Sequence, residues 1–214
     1  MKEFIKGMYD KKYFWQRLVA MTGSVIVMGF ALSLIIRVDW GTDPCTTLNL
    51  AISTRLGMSL GNWQALFNTI LFIFVILWGR HYIGFGTLGN MFLVGYSIDF
   101  FSWLWDGFSV PTYFTSVPVK ILVLIPALFI FVMAVGVYLT VDLGTAPYDA
   151  LPYIIQKKIK KISFRTMRMI WDITMLVLGI LLGGQAGIVS ILMAFCLGPA
   201  IAWVEKQIKK RVEF

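Results

Sequence analysis

Six apolar stretches, Leu18–Val38, Trp63–Trp78, Ile83–Trp103, Val119–Thr140, Met169–Gly183 and Ile188–Val204, constrain this chain more than any other feature. A helix crosses a hydrocarbon core of about 30 Å with roughly 20 predominantly apolar residues, and these stretches reach or approach that length. The two shortest fit a crossing that is near-perpendicular or leans on its neighbours. Over 214 residues the chain is 58% hydrophobic and only 14% charged, with a mean hydropathy of +0.79, more apolar surface than a soluble interior of this size hides. The expected fold is therefore an all-α, polytopic membrane helix bundle of about six transmembrane helices, in one membrane domain covering residues 1–214.

The formal charge of +8 does not point to nucleic acid, because the basic residues gather beside the apolar spans, where membrane topology needs them. With the N-terminus inside, the inner segments hold Lys2, Lys6, Lys11, Lys12, Arg17, Arg80, Lys157, Lys158, Lys160, Lys161, Arg165, Arg168, Lys206, Lys209, Lys210 and Arg211. Only Arg37, Arg55 and Lys120 fall outside, so sixteen against three favours six spans with both termini cytoplasmic. The basic ends also suit contact with anionic lipid. The first apolar segment follows a basic N-terminus but is longer than a signal-peptide core, which reads as a retained first helix. The stretch Met91–Trp105 ends in aromatics suited to a membrane interface, and Gly107 to Pro118 reads as a loop.

An internal repeat follows the first and fourth spans. Val38-Asp39-Trp40-Gly41-Thr42-Asp43-Pro44 aligns with Val141-Asp142-Leu143-Gly144-Thr145-Ala146-Pro147, five of seven positions being identical. The register continues: Leu48 with Leu151, Ser59 with Ser163, Asn68 with Asp172, Gly79 with Gly183, Gly84 with Gly187 and Gly95 with Gly198, at an offset of 103 or 104. One offset held through a loop motif and two following helices marks a duplication, with repeats at about 14–106 and 117–205. Three crossings per half place the second half in the opposite orientation, so the expectation is two inverted three-helix repeats. In each, Gly41 or Gly144 allows the turn, Pro44 or Pro147 opens a new helix, and Thr42, Asp43 and Thr145 are available as caps. The helices that follow, about Cys45–Leu56 and Tyr148–Lys161, are too short or too polar to span, so they are expected to be interfacial or re-entrant, packed between spans.

With these motifs and the glycine-rich third span (Gly84-Phe85-Gly86-Thr87, then Gly95), the chain resembles the YczE/YyaS/YitT group of bacterial membrane proteins over nearly its whole length. It is closest to the YczE-like branch, since the chain ends soon after its sixth span and lacks the soluble C-terminal domain of YitT-type members. The resemblance implies a multi-pass protein of the bacterial plasma membrane, often suspected of transport, and leaves the biochemistry open.

An ionisable residue within a span costs a few kcal/mol on insertion scales, which makes it a functional candidate. Asp172, in the fifth span opposite Asn68 in the repeat, is the clearest; an ion pair with Arg168 four residues earlier is the structural alternative. Asp99 has no basic neighbour in sequence, so Arg37 or Arg17 is its expected partner across helices. Asp39 and Asp142 fit capping of the motif turns first and substrate or ion binding second. Asp43 and Asp149 add an acid near each short helix's start, at non-equivalent positions. Helix N-termini also suit an anionic group, and the sequence leaves cation against anion open. The small residues of the first and third spans read as packing sites.

Cys45 and Cys196 lack the paired spacing of a zinc or redox site and read as packing residues. His81 is the only histidine and fits an interfacial loop. H-E-x-x-H, G-x-S-x-G and P-loop signatures are absent, so the expectation is no enzyme, no metal and no cofactor. The leading functional expectation is a small-solute transporter or permease with a small-molecule site between the halves. The alternative is a non-transporting accessory protein that regulates or assembles a partner through Lys157 to Arg168. The lipid bilayer is the expected surrounding, and six short spans leave room for a homodimer.

Overall fold

Several helix starts and stops among the described residues have a local cause. The computed structural model describes residues 11–108, 114 and 116–211. Among the described residues there are eight α-helices and no strand: α1 (Phe14–Val38), α2 (Pro44–Leu56), α3 (Leu60–Trp78), α4 (Phe85–Gly107), α5 (Val117–Val141), α6 (Pro147–Ile159), α7 (Phe164–Leu181) and α8 (Ile188–Lys209), with a 3-10 turn at Arg80–Tyr82. Lys2, Lys6 and positions 109–113 and 115 of the expected loop lie outside the described residues. The rest of that expected loop is partly helical, since α4 runs to Gly107 and α5 begins at Val117.

The N-termini of α3 and α7 are set by Ser59 and Ser163, which share the same extended backbone (φ −64, ψ 152) and accept from the N–H groups of Asn62 and Thr166. Pro44 and Pro147 open α2 and α6, where a missing N–H costs nothing. At their C-termini, α1 and α5 stop on Asp39 and Asp142, both left-handed at φ 60 and φ 53. An aspartate tolerates that conformation better than most side chains.

Four helices are long and apolar enough to cross a membrane by length and composition: α1, α3, α5 and α8. The other two expected spans exist as helices outside that group: α4 holds Asp99 and Asp106 over 23 residues, and α7 holds Arg165, Arg168 and Asp172 over 18. The outer surface is hydrophobic over large areas, with Trp15 74%, Leu122 73%, Phe129 66%, Leu181 72% and Trp203 62% exposed. A soluble monomer rarely presents so much apolar surface, and a lipid-facing exterior explains it. The protein is an integral membrane protein.

Long helices pack around α1 and α5, which lie against each other; α4 rests on α1 and α8 on α5. Their contacts form the larger core, from Met21, Val25, Ile35 and Ile98 to Phe131, Tyr138 and Met193. The short helices cross over: α2 packs on α7, and α3 on α6, in a second core built on Leu48, Val75, Leu151, Ile154 and Met175. Backbone bonds tie the two turns to distant helices. The Gly86 N–H donates to the Leu143 carbonyl at 2.7 Å, and the Val189 N–H donates to the Trp40 carbonyl at 3.1 Å.

These close approaches explain the glycines. A Cβ on Gly144 (φ +106) would sit 2.5 Å from the Gly84 nitrogen, and one on Gly41 (φ +93) would sit 2.6 Å from the Gly187 nitrogen. Both positions need a residue without Cβ, for conformation and for space.

Candidate functional site

The motif prolines bring the first turns of α2 and α6 to one central cavity of about 170 Å³, which side chains from all eight helices line. Asp43, Cys45 and Thr46 approach from α2, and Tyr148, Asp149 and Tyr153 from α6. Gln64 and Asn68 enter from α3, and Arg168 from α7.

Arg168 organises one wall. Its Nη1 donates to Asp149 Oδ1 at 2.6 Å and its Nε donates to Asp172 Oδ2 at 2.9 Å. The guanidinium also lies 5.4 Å from the centroid of the Tyr148 ring, whose hydroxyl donates to Asp172 Oδ1 at 2.9 Å. A planar guanidinium with a fixed fork of donors suits two carboxylates and an aromatic face better than an ammonium does. Asp172 is 4% exposed and stands one hydrogen bond behind the cavity wall, held by Tyr148 and Arg168.

Two further side chains of the lining are polar and incompletely partnered. Asp43 Oδ1 accepts from the Thr46 N–H at 3.1 Å, the N-cap bond of α2. Its Oδ2 is buried without a partner, and so is Asn68 Oδ1. Asp43 is 7% and Asn68 2% exposed, and both line the cavity. A buried polar oxygen left without a donor costs on the order of 1–3 kcal/mol, more when charged. Both side chains line the cavity, and each keeps an acceptor there without a donor from the chain.

The structure sorts the other acids named from the sequence. Asp99 pairs with neither Arg37 nor Arg17. Its Oδ2 accepts from the Gly61 N–H at 2.9 Å, in the first turn of α3. Arg37 instead holds Asp106, with Nη1 2.5 Å from Oδ1 and Nη2 2.7 Å from Oδ2, because Asp106 lies two turns further along α4 at the level of the α1 C-terminus. Arg17 is buried and donates to the Val141 carbonyl at 2.7 Å. Asp39 and Asp142 are exposed at the ends of α1 and α5, away from the cavity; Asp142 pairs with Lys11 at 2.5 Å. Being at helix C-termini, neither carboxylate caps an N-terminus. Thr42 meets Thr47 at 2.9 Å through their hydroxyls, and the Thr145 N–H donates to the Tyr82 carbonyl at 2.9 Å, so both threonines fix the motif turns.

Of the acids and amide singled out from the sequence, Asp43, Asn68, Asp149 and Asp172 belong to one site. Tyr148, Gln64 and Thr46 also belong to it, unmarked by charge; the Arg168–Asp172 pair expected from the sequence is present, and Arg168 holds Asp149 as well. The signal for Tyr148 and Asp149 was their place immediately after Pro147, in the first turn of a helix expected to pack inward. Cys45, expected to be a packing residue, also lines the cavity, its sulfur accepting from Asn49 Nδ2 at 3.3 Å.

Comparison with known proteins gives the chain relatives without a defined activity. A family described as "Family of unknown function (DUF6198)" matches residues 15–206. The chain is 29% identical over 175 residues to the uncharacterized membrane protein YczE of Bacillus subtilis, covering 81% of this chain and 78% of that protein. It is 28% identical over 190 residues to the uncharacterized protein YyaS of the same organism, covering 87% and 90%. An uncharacterized protein of Haemophilus influenzae is 23% identical over 175 residues, covering 82% and 77%. No solved structure matches.

Proposed function

The chain belongs to the DUF6198 family, and from that premise we propose that it is a small-solute transporter of the bacterial plasma membrane, built as two inverted three-span halves around the central cavity. One observation carries this reading: a cavity that all eight helices line, largely apolar with a few convergent polar and charged groups, entered by the first turns of both short helices. Transporters of inverted-repeat design place the substrate between repeats, at interrupted helices whose termini face it. In this proposal α1, α3 and α4 cross the membrane in the first half and α5, α7 and α8 in the second, with both termini cytoplasmic. The short helices α2 and α6 re-enter from opposite faces.

The matching lengths of the halves support it: 25 and 25 residues for α1 and α5, 13 and 13 for α2 and α6, 19 and 18 for α3 and α7, 23 and 22 for α4 and α8. The crossing of α2 onto α7 and α3 onto α6 supports it too, since a two-fold relation exchanges those pairs. A docking role for the basic segment is less well supported. Lys157 bonds His81 at 2.9 Å, Lys158 lies 4.4 Å from the Trp78 ring, and Arg168 is drawn into the cavity wall.

The test reconstitutes the full chain in proteoliposomes and follows uptake of cationic, anionic and neutral small solutes under imposed ion gradients and potential. Uptake of one class, reduced in Asp172→Asn, is expected. No movement of any class, with the cellular phenotype of Asp172→Asn unchanged, overturns the reading. Single-cysteine labelling across Asp39–Leu56 and Asp142–Lys161 with membrane-impermeant reagents tests the inversion; labelling of both segments from the same side refutes it.

A further inference from the structure

The geometry points to a small organic ammonium ion as the ligand of the central cavity, its N–H groups donating to Asp43 Oδ2 and Asn68 Oδ1 and its hydrocarbon body lying against the aromatic wall. This rests on the reading of that cavity as a solute site and supplies the charge and kind of solute.

Helix N-termini in a membrane protein are in general places for anions, and both short helices direct theirs at the cavity. Here the sites are already taken by carboxylates of the chain itself. Asp43 occupies the N-cap of α2, and Asp149 sits in the first turn of α6. The cationic group lining the cavity on that side, Arg168, is countered by Asp149 and Asp172 together. Asp43, Asp149 and Asp172 thus face a single guanidinium. A second anion entering there meets an excess of negative charge, whereas a cation restores balance.

The unpartnered atoms specify more than the sign. Asp43 Oδ2 and Asn68 Oδ1 are buried acceptors without a donor, on different helices, and both side chains line the cavity. An ammonium nitrogen brings up to three donors, enough for both. A bare metal ion of the hard type takes six or more oxygens. Among the described residues no three His, Cys, Asp or Glu side chains are grouped to hold one. Much of the remaining lining is hydrocarbon and aromatic, including Leu32, Phe131, Tyr148, Tyr153 and Phe164, the last two stacked with ring centroids 3.9 Å apart, beside the polar Gln64 and Asn90 and the carboxylate of Glu205. Aromatic faces attract a cation and shelter an alkyl chain. A primary amine of ordinary basicity, near pKa 10, is charged at neutral pH.

The experiment is calorimetric titration of the full chain in lipid nanodiscs with n-butylammonium, n-butanol, butyrate and tetramethylammonium, four probes of similar small size. Saturable binding of n-butylammonium is expected, at least tenfold tighter than n-butanol or butyrate. It should also be tighter than tetramethylammonium, which offers no N–H. Asp43→Asn keeps a capping side chain for α2 and therefore the fold, and it should weaken n-butylammonium binding at least tenfold. Asn68→Asp adds a carboxylate to the cavity lining and should tighten it.

Binding of butyrate or n-butanol as tight as that of n-butylammonium overturns the ammonium assignment and leaves the transport reading standing. Unchanged n-butylammonium affinity in Asp43→Asn overturns the assignment to this cavity. Failure of all four probes to bind, together with failure of every solute class in proteoliposomes, overturns both.

Discussion

Arg168 and Asp149 form a 2.6 Å ion pair between α7 and α6, and the same guanidinium holds Asp172 on its own helix at 2.9 Å. All three side chains are largely withdrawn from solvent, with Arg168 19%, Asp149 24% and Asp172 5% exposed. Removing the shared partner leaves two carboxylates without a counter-charge, and breaking a buried pair in this way costs about 3–5 kcal/mol. Arg168→Met should therefore lower the thermal unfolding temperature of the purified protein sharply. Arg168→Lys should recover only part of the loss, because one ammonium cannot reproduce the fork that reaches both acids. Full recovery by lysine would show that charge alone, without the bridging geometry, holds this wall.

The two motif turns make a sharper structural prediction. Gly144 combines φ +106 with a backbone neighbour, Gly84 nitrogen, 2.5 Å from where a Cβ would stand. Overpacking of this kind costs about 1–3 kcal/mol, and the left-handed conformation adds strain. Gly144→Ala should unfold at a markedly lower temperature than the parent. Gly57→Ala, also at positive φ but with nothing within 4 Å of its Cβ, should show the conformational cost alone. Equal effects of the two substitutions would remove the packing part of this account.

The helices were legible in the sequence because apolar runs and their breakers are local: Pro44 and Pro147 mark the starts of α2 and α6, while α3 and α7 begin at Leu60 and Phe164, before the apolar runs at Trp63 and Met169, because Ser59 and Ser163 cap them. Of the acids' partners, the one four residues away on the same helix was legible, Arg168 with Asp172 at 2.9 Å, and the partners across helices were not. Asp43 is an N-cap and Asp149 lies three residues into its helix, so the repeat alignment sets them apart although they line the same cavity. Their meeting depends on how α2 and α6 sit against the long helices, which no spacing along the chain encodes. The second ion pair of Arg168, with Asp149, is hidden for a related reason. A basic residue near a helix start fits the rule that retains positive charge on the inner face, and that rule carries no information about which way the side chain turns.

Lys157 and His81 join α6 to the turn after α3 through a 2.9 Å contact between Nζ and Nε2. The imidazole is held below its ordinary value of 6.5, first by desolvation and then by the Lys157 charge beside it. The folded protein therefore favours the neutral ring more than the unfolded chain does. Its contribution to stability is present above the ordinary value and is lost as pH falls through the depressed folded value. The group is well solvated, so the effect is small. The unfolding temperature of the parent relative to His81→Gln should fall between about pH 8 and about pH 5, the range in which histidine titrates. A difference that does not vary with pH would remove His81 from the proton balance.

Asp99 offers a way to separate structural acids from those of the cavity. Its carboxylate accepts from the Gly61 N–H at 2.9 Å and stands at the N-terminus of α3, where the free N–H groups and the helix dipole favour negative charge. It does not line the cavity. Loss of a capping acceptor costs about 1 kcal/mol, up to 2. Asp99→Ala should accordingly lower the unfolding temperature modestly while leaving ligand affinity at the cavity unchanged. Asp43→Asn should do the reverse, keeping the unfolding temperature near that of the parent and weakening the ligand. The two carboxylates each receive one backbone N–H of a helix start, at 2.9 and 3.1 Å, and differ in that Asp43 keeps a second oxygen free in the cavity wall. Equal losses of ligand affinity in both variants would mean that affinity follows the general integrity of the bundle and not the free oxygen of Asp43.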